Sequence, residues 1–375
     1  MKKKQGFTLI ELLAVIVILA VIALIATPLI MGTITKAKIN SFKDSMYGVL
    51  KSAEQYVGEK LLESENSYPG EFINLTNQDK LNYKGSKING EVMITKDGSV
   101  NIKAVYGDSC YYKNESDKEI LSFKGNCDKL YTYNGVYGIP TDANEFETEV
   151  LDNGKISIKK YKGPTNTIVN IPETINGKLV VKIDSYAFRW MKLTKVRIPN
   201  SVERMEWGSF MGNNLNEIIF PKNEYTYSGA NFISNNMPEE KAWIYHRTVD
   251  GLEDRKVLNS YAGADKKVNV PSLIEVLLSW SLTNREEVIL NEGLKIMHDF
   301  SLSEHQFTEI RIPSTVTNIG TDVLRLSPTN DHFQKIINKT GRAFDWGLIT
   351  GTTSTGAFVT GVVHHPNGDI QVVSE

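Results

Sequence analysis

The sequence is poor in the residues that build a cross-linked or one-signed protein. Only two of its 375 residues are cysteine, too few for a scaffold made of disulfides. Charge of one sign is also missing. Its 42 basic and 44 acidic residues leave a net charge of −2, and Lys2-Lys3-Lys4 is the one dense basic cluster, so nothing points to nucleic acid. Histidine is scarce, with six residues and none before His246. No Ser/His/Asp arrangement and no metal-ligand spacing emerges, so the chain reads as a non-enzyme, without catalytic residues, cofactor or metal. His364-His365 comes nearest to a metal pair, but neighbours in a strand point to opposite faces. Hydrophobic (41%) and charged (23%) contents are those of an ordinary globular chain, long enough for two domains beyond its apolar start.

From Phe7 to Ile34 charge is absent except for Glu11. At about 1.5 Å per residue a helix over this stretch covers a hydrocarbon core of about 30 Å. The three lysines before it favour a cytoplasmic N-terminus. A secretory signal peptide should end in a small-x-small cleavage site, and Ala23 and Ala26 have the wrong spacing for one. No cysteine follows the run closely, so a lipoprotein anchor fails too. A plain membrane anchor explains the length but not Glu11, because a carboxylate at mid-span costs about 2.5–3.5 kcal/mol on insertion scales.

The stretch "KKKQGFTLIELLAVIVILAVIALIATP" (Lys2 to Pro28) resembles the leader of type IV pilins and of the pseudopilins of related machines. The resemblance rests on a short basic leader, Gly6, Phe7, Thr8, Leu9, Ile10, Glu11, a long aliphatic run and Pro28 late in it. It implies that a prepilin peptidase cuts between Gly6 and Phe7 on the cytoplasmic face and methylates Phe7. It further implies that Glu11 meets the new amine of a neighbouring subunit in a low-dielectric setting, setting register in a filament. Glycine at the cut lets extended backbone enter a tight peptidase site. Pro28 lacks an N–H and is expected to kink or locally melt the helix.

Beyond the membrane the helix continues. Ile39, Phe42, Met46, Val49, Ala53, Tyr56 and Leu61 form one apolar stripe, ended by Gly58 and the polar "ESENSYPG" from Glu63 to Gly70. After it, β-branched and aromatic residues flank Asp97-Gly98, a dipeptide suited to positive φ in a tight hairpin. Further strands are expected over Ser109 to Lys113 and Glu119 to Phe123, a meander able to cover the stripe. Cys110 and Cys127 stand close in sequence, and export would let them oxidise; two unpaired thiols is the other reading. Pilin heads often carry a disulfide near their C-terminal edge, and this pair fits that pattern by resemblance.

The second half repeats. Pro199 recurs 22 residues later as Pro221, and the same offset links Ile183 to Met205, Phe188 to Phe210, Leu193 to Leu215, Val196 to Ile218 and Ile198 to Phe220. Asn291 and Pro313 share that spacing, linking Val288 to Ile310 and Leu290 to Ile312. Looser copies start at Pro172 and Pro271. Within a unit, Val196-x-Ile198 reads as a short strand ended by Pro199, which cannot donate to a ladder. Val202, Met205 and Phe210 fill the interior as the chain returns. One unit cannot bury these residues alone, so the units must stack into a solenoid. "IDSYAFRWMKLTKVRIPNSV" (Ile183 to Val202) resembles the leucine-rich repeats of BspA-like bacterial surface proteins. The pattern breaks between Lys222 and Asn269, either as an insertion or as an eroded repeat. "KLTKVRI" and "NNLNEIIF" set exposed polar and basic residues between core positions, on the strand face that such solenoids often use for binding.

These readings assemble into an α+β chain: a leader over 1–6, a hydrophobic helix over 7–62 that spans the membrane over about 7–34, and a small β-rich head over 63–135. A leucine-rich-repeat domain follows over 136–345, degenerate over 222–269, and residues 346–375 form a β-rich or mobile tail. The resemblances imply a pilin-like subunit that displays the repeats at the cell surface for adhesion or protein binding. Its partners are then the membrane, prepilin peptidase, other pilin subunits and a host or surface protein or glycan ligand. The same leader would also serve a pseudopilin of a type II secretion or DNA-uptake system. Asn74, Asn114 and Asn338 begin N-glycosylation sequons, a pattern short enough to arise by chance.

Overall fold

The structure, a computed structural model, describes residues 9–63, 70–76, 80–221, 226–227, 231–247, 253–326 and 332–375. Gly6 and Phe7 lie outside the described residues, as does most of the polar stretch after Glu63. The chain divides between Tyr137 and Gly138 into two units.

The first unit starts with α1, Leu9–Glu63, a helix of 55 residues and roughly 80 Å long. It runs through Pro28 without melting. Proline removes the donor that the Leu24 carbonyl would take, and the Thr27 hydroxyl adds a second donor to the neighbouring Ala23 carbonyl at 2.6 Å. Phe42, Met46, Val49 and Ala53 are buried as their spacing requires, joined by Leu50 and Val57. Leu61 instead stays 48% exposed. The sheet that covers the stripe ends beside Val57, where the turn glycine Gly98 packs.

That sheet is an antiparallel meander of β1 (Glu71–Asn74), β2 (Asn89–Ile94), β3 (Val100–Tyr106), β4 (Ser109–Lys113) and β5 (Leu121–Lys124), in sequential order. Its first strand, four residues long, has too few positions to show an alternation. In the turn from β2 to β3 only Gly98 takes a positive φ (+86°), so Asp97 is not part of a two-residue turn. The loop is wider: Gly98 N–H bonds the Thr95 carbonyl and Thr95 N–H the Ser99 carbonyl, both at 3.0 Å. Asp97 accepts from the hydroxyls of Thr95 and Ser99. Tyr111 faces the helix against Phe42, so its strand neighbours Cys110 and Tyr112 face away. There Cys110 is bonded to Cys127, within a second small core with Met93, Leu130 and Tyr137. Asn114 is buried, its amide spent on Asp117 and on the Tyr137 backbone. Asn338 is equally buried, so two of the three sequons cannot present their nitrogen.

The second unit is a solenoid of about seven turns. The Val196 strand (Lys195–Arg197) pairs in parallel with Ile168–Asn170 and Glu217–Ile219. Each turn has a second ladder that the sequence pattern hides: Arg204–Met205 pairs in parallel with Lys178–Ile183 and with Thr226–Tyr227. Proline works at the corner between them. The carbonyls of Pro199, Pro271 and Pro313, and of Asn291 in the same place, each accept from the N–H three residues on. This closes a tight turn from one strand to the next.

The degenerate stretch resolves into both alternatives. Thr226 pairs with Arg204 at the regular 22-residue offset, and Phe232 stacks on Phe210, so the first part is an eroded repeat. An inserted hairpin follows, Trp243–Arg247 antiparallel to Glu253–Tyr261, whose second strand starts a new parallel ladder through Val276–Leu277, Ile296–Met297 and Asn318–Ile319. Residues 346–375 are no separate tail. Trp346 is fully buried in the solenoid core, and Ile370–Ser374 joins the ladder beside Lys335–Asn338. Antiparallel strands cap one ladder at each end, Phe146–Val150 at the start and Gly361–Val363 at the finish, covering edges that would otherwise template aggregation.

Candidate functional site

Two surfaces can act outward. The first is the N-terminal half of α1, where side chains from Leu9 to Ile34 are almost all exposed while the C-terminal half is sheathed by the sheet. It is the one helix among the described residues that is long and apolar enough to cross a membrane. Thr27, Thr33 and Thr35 direct their hydroxyls to carbonyls four residues back, so these polar groups are satisfied within the helix and suit an apolar medium. Glu11 lies on its exposed surface.

The second is the solenoid surface. Along both ladders the charges on neighbouring rungs pair with each other. Lys195 meets Glu217 at 2.8 Å. Lys182 lies between Asp184 (3.1 Å) and Glu206 (3.3 Å), and Lys159 reaches Asp184 at 2.7 Å. Further along, Lys256 and Lys295 share Glu275 at 2.9 and 2.7 Å. Burial pushes the Asp184 carboxyl up, yet hydrogen bonds from Lys159, Ser157 and Lys182 outweigh this and hold it below its ordinary value. Several charges of the strand face are therefore met by neighbouring rungs. Lys195, from the basic stretch that suggested a binding face, is committed to Glu217. His364 and His365 follow a strand rather than forming part of one, and His364 is paired with Asp369 at 2.9 Å. Among the described residues no group of three metal-ligating side chains converges.

The edge between successive turns is set by two residues per turn in the left-handed region, four apart. One series is Tyr186, Gly208, Trp280, Phe300 and Asp322; the other is Trp190, Gly212, Ser234, Asn284 and Glu304. This conformation costs a residue with a side chain roughly 1–2 kcal/mol, which is why Gly, Asn and Asp recur there. Four bulky aromatics occupy it nonetheless. No sequence rule places an aromatic at such a position; the only available hint was alternation with glycine at the repeat offset.

After the second left-handed residue comes a buried polar one: Asn213, Asn235, Arg285 and His305. Asn213 donates to the carbonyls of Phe188 and Phe210, both at 2.8 Å, and accepts from Leu193 N–H at 3.1 Å. Asn235 repeats this one turn on. Arg285 reaches the carbonyls of Gly263 and Asp265, and His305 lies 3.2 Å from the Leu324 carbonyl. Burial pushes the His305 imidazole down to about 4, against backbone hydrogen bonds that raise it. The folded chain thus refuses a proton that the unfolded chain accepts below about pH 6.5. Stability should fall by about 3 kcal/mol between pH 6.5 and 4 on this account. His305→Asn, which installs the residue that Asn213 and Asn235 place there, is expected to flatten that slope in urea titrations at successive pH values; an unchanged slope would assign it elsewhere.

Residues 1–27 match the family described as the prokaryotic N-terminal methylation motif. Residues 155–245 and 266–334 match six copies of the BspA type leucine rich repeat region, and the gap between them falls on the inserted hairpin. No curated protein matches the chain. Among solved structures, a leucine rich cell surface protein from Faecalibacterium prausnitzii is similar at 17% identity and a TM-score of 0.32, over 61% of this chain and 59% of that one. A leucine rich repeat protein of T. pallidum is similar at 17% identity and a TM-score of 0.22, over 53% and 71% of the two chains. One from Eubacterium ventriosum stands at 13% identity and a TM-score of 0.26, over 52% and 77%. Both matched families are structural or binding in character. The chain thus joins a prepilin-type N-terminal methylation motif to a BspA-type leucine-rich-repeat solenoid.

Proposed function

We propose that the chain is a surface subunit of a type IV pilus, held in the membrane by α1 before assembly and displaying the solenoid outside for adhesion or protein binding. The observation that carries this reading is the division of α1. Its second half is buried on its own sheet, while its first half, under the methylation motif, exposes apolar side chains that need lipid or other helices as cover. Prepilin peptidase removes residues 1–6, and Phe7 becomes the methylated N-terminus. Glu11, one helical turn on, then meets the amine of the neighbouring subunit. In hydrocarbon that pairing offsets the cost of burying the carboxylate, which is how a single charge can specify register. A domain as large as the solenoid crowds tight helical packing, so the subunit suits a minor or tip position.

Glu11→Ala should leave cleavage intact and remove the protein from sheared fibres. N-terminal mass spectrometry checks the first half and immunoblotting of the sheared fraction the second. Normal fibre entry by the variant would refute the docking role. An intact Met1 with its three lysines on the surface form would refute the processing.

A further inference from the structure

We infer that the turn edge carrying Tyr186, Arg189 and Trp190 binds a carboxylated glycan, with a pyranose ring stacked on the aromatic platform and its carboxylate on the Arg189 guanidinium. This rests on the reading of the solenoid as a surface-binding domain and assigns its site and ligand class. Trp190 is 63% exposed and Tyr186 39% exposed, both in a backbone conformation that the next turn fills with glycine. Those glycines make room for the rings. A side chain at Gly212 would run into the Trp190 indole, and one at Gly208 would crowd Tyr186, so each ring lies across the turn beside it. From Tyr186 the aromatic row continues through Trp207, Trp280 and Phe300, with successive ring centroids 5.0, 5.5 and 4.9 Å apart. These rings pack edge-to-face and face-to-face on one another, so the row braces the exposed Tyr186–Trp190 pair, which is the platform a sugar ring can reach.

Charge selects the ligand further. The Arg189 guanidinium stands 3.9 Å from the Trp190 ring centroid and 4.6 Å from that of Tyr186. A guanidinium held beside two rings can still offer its terminal N–H groups to a carboxylate, the bidentate geometry it favours. Its Nε is buried with no hydrogen-bond partner. No carboxylate among the described residues forms an ion pair with Arg189, in contrast to the paired lysines of the strand ladders. A peptide fits less well. The backbone N–H groups of Tyr186, Trp190 and Gly212 are spent on the carbonyls of the next turn, which leaves an added strand little to pair with.

The test uses the full chain in detergent micelles, titrated with hexagalacturonate and sialyllactose and with their neutral counterparts, galactohexaose and lactose. Tryptophan fluorescence and calorimetry report binding. The carboxylated sugars should bind at least tenfold more tightly than the neutral ones. Trp190→Ala should weaken all binding at least tenfold, and Arg189→Gln should bring the carboxylated sugars down to the neutral level, both with unchanged circular dichroism. Equal affinity for neutral sugars, insensitivity to both substitutions, or binding of a protein ligand alone would overturn the assignment. Adherence of cells bearing the wild-type chain is measured alongside. Adherence without glycan binding rejects this site and keeps the surface-binding reading, whereas glycan binding without adherence does the reverse.

Discussion

Phe210→Ala lowers the stability of the solenoid by about 4 kcal/mol and splits its unfolding into two steps. Phe210 is fully buried in a column of rings, 4.8 Å from Phe188 on one side and 5.3 Å from Phe232 on the other, nearly parallel to both. Truncation loses the transfer energy of the ring and leaves a cavity that flat, stacked neighbours cannot close without leaving their own turns. Because a solenoid is held by nearest-neighbour interfaces, damage at one turn weakens coupling across it instead of spreading evenly. Urea unfolding followed by circular dichroism, with hydrogen exchange to place the first transition, checks this. A single cooperative transition shifted by less than about 1 kcal/mol would show that the column carries little of the coupling.

Asn213→Ala is expected to remove about 3 kcal/mol or more, although it deletes only an amide. The Leu193 N–H and the carbonyls of Phe188 and Phe210 all bond to that side chain in a site closed to water. Each stranded group carries a desolvation penalty of about 1–3 kcal/mol, reduced where the backbone relaxes. Asn213→Asp separates the parts of this effect. It keeps an acceptor for Leu193 but cannot donate to the two carbonyls and buries a charge. It should therefore be at least as harmful, as measured by urea midpoint at neutral pH. An aspartate variant as stable as wild type would mean that water already satisfies those carbonyls.

Much of this architecture could be read from residue spacing. The offset from Phe188 to Phe210 and from Val196 to Ile218 reports interior positions directly, because a stacked turn buries the same place every time. The helix stripe was legible from Phe42 to Ala53 for the same reason, and failed at Leu61 because burial there depends on where the sheet stops. Other features left no periodic trace. Arg204–Met205 is a strand of two residues, below the length at which alternation can be counted. Its identity comes from the turn beside it, not from its own composition. The eroded repeat kept its register through Thr226 and Phe232 while losing most of its pattern. The Tyr186–Trp190 edge was invisible because its defining property is a backbone angle. Asn213 and Asn235 carry a signal that apolar periodicity does not register, a polar residue recurring at the core offset.

Turns of different length already stand side by side in this solenoid. Val276 pairs with Ile296, 20 residues on, and Ile296 with Asn318, 22 residues on, without a break in the ladder. Such tolerance makes the domain extensible: duplicating one unit within the gene would add a rung of about 4.8 Å and require no new fold. Length variants would then carry the same end closures on a longer or shorter solenoid.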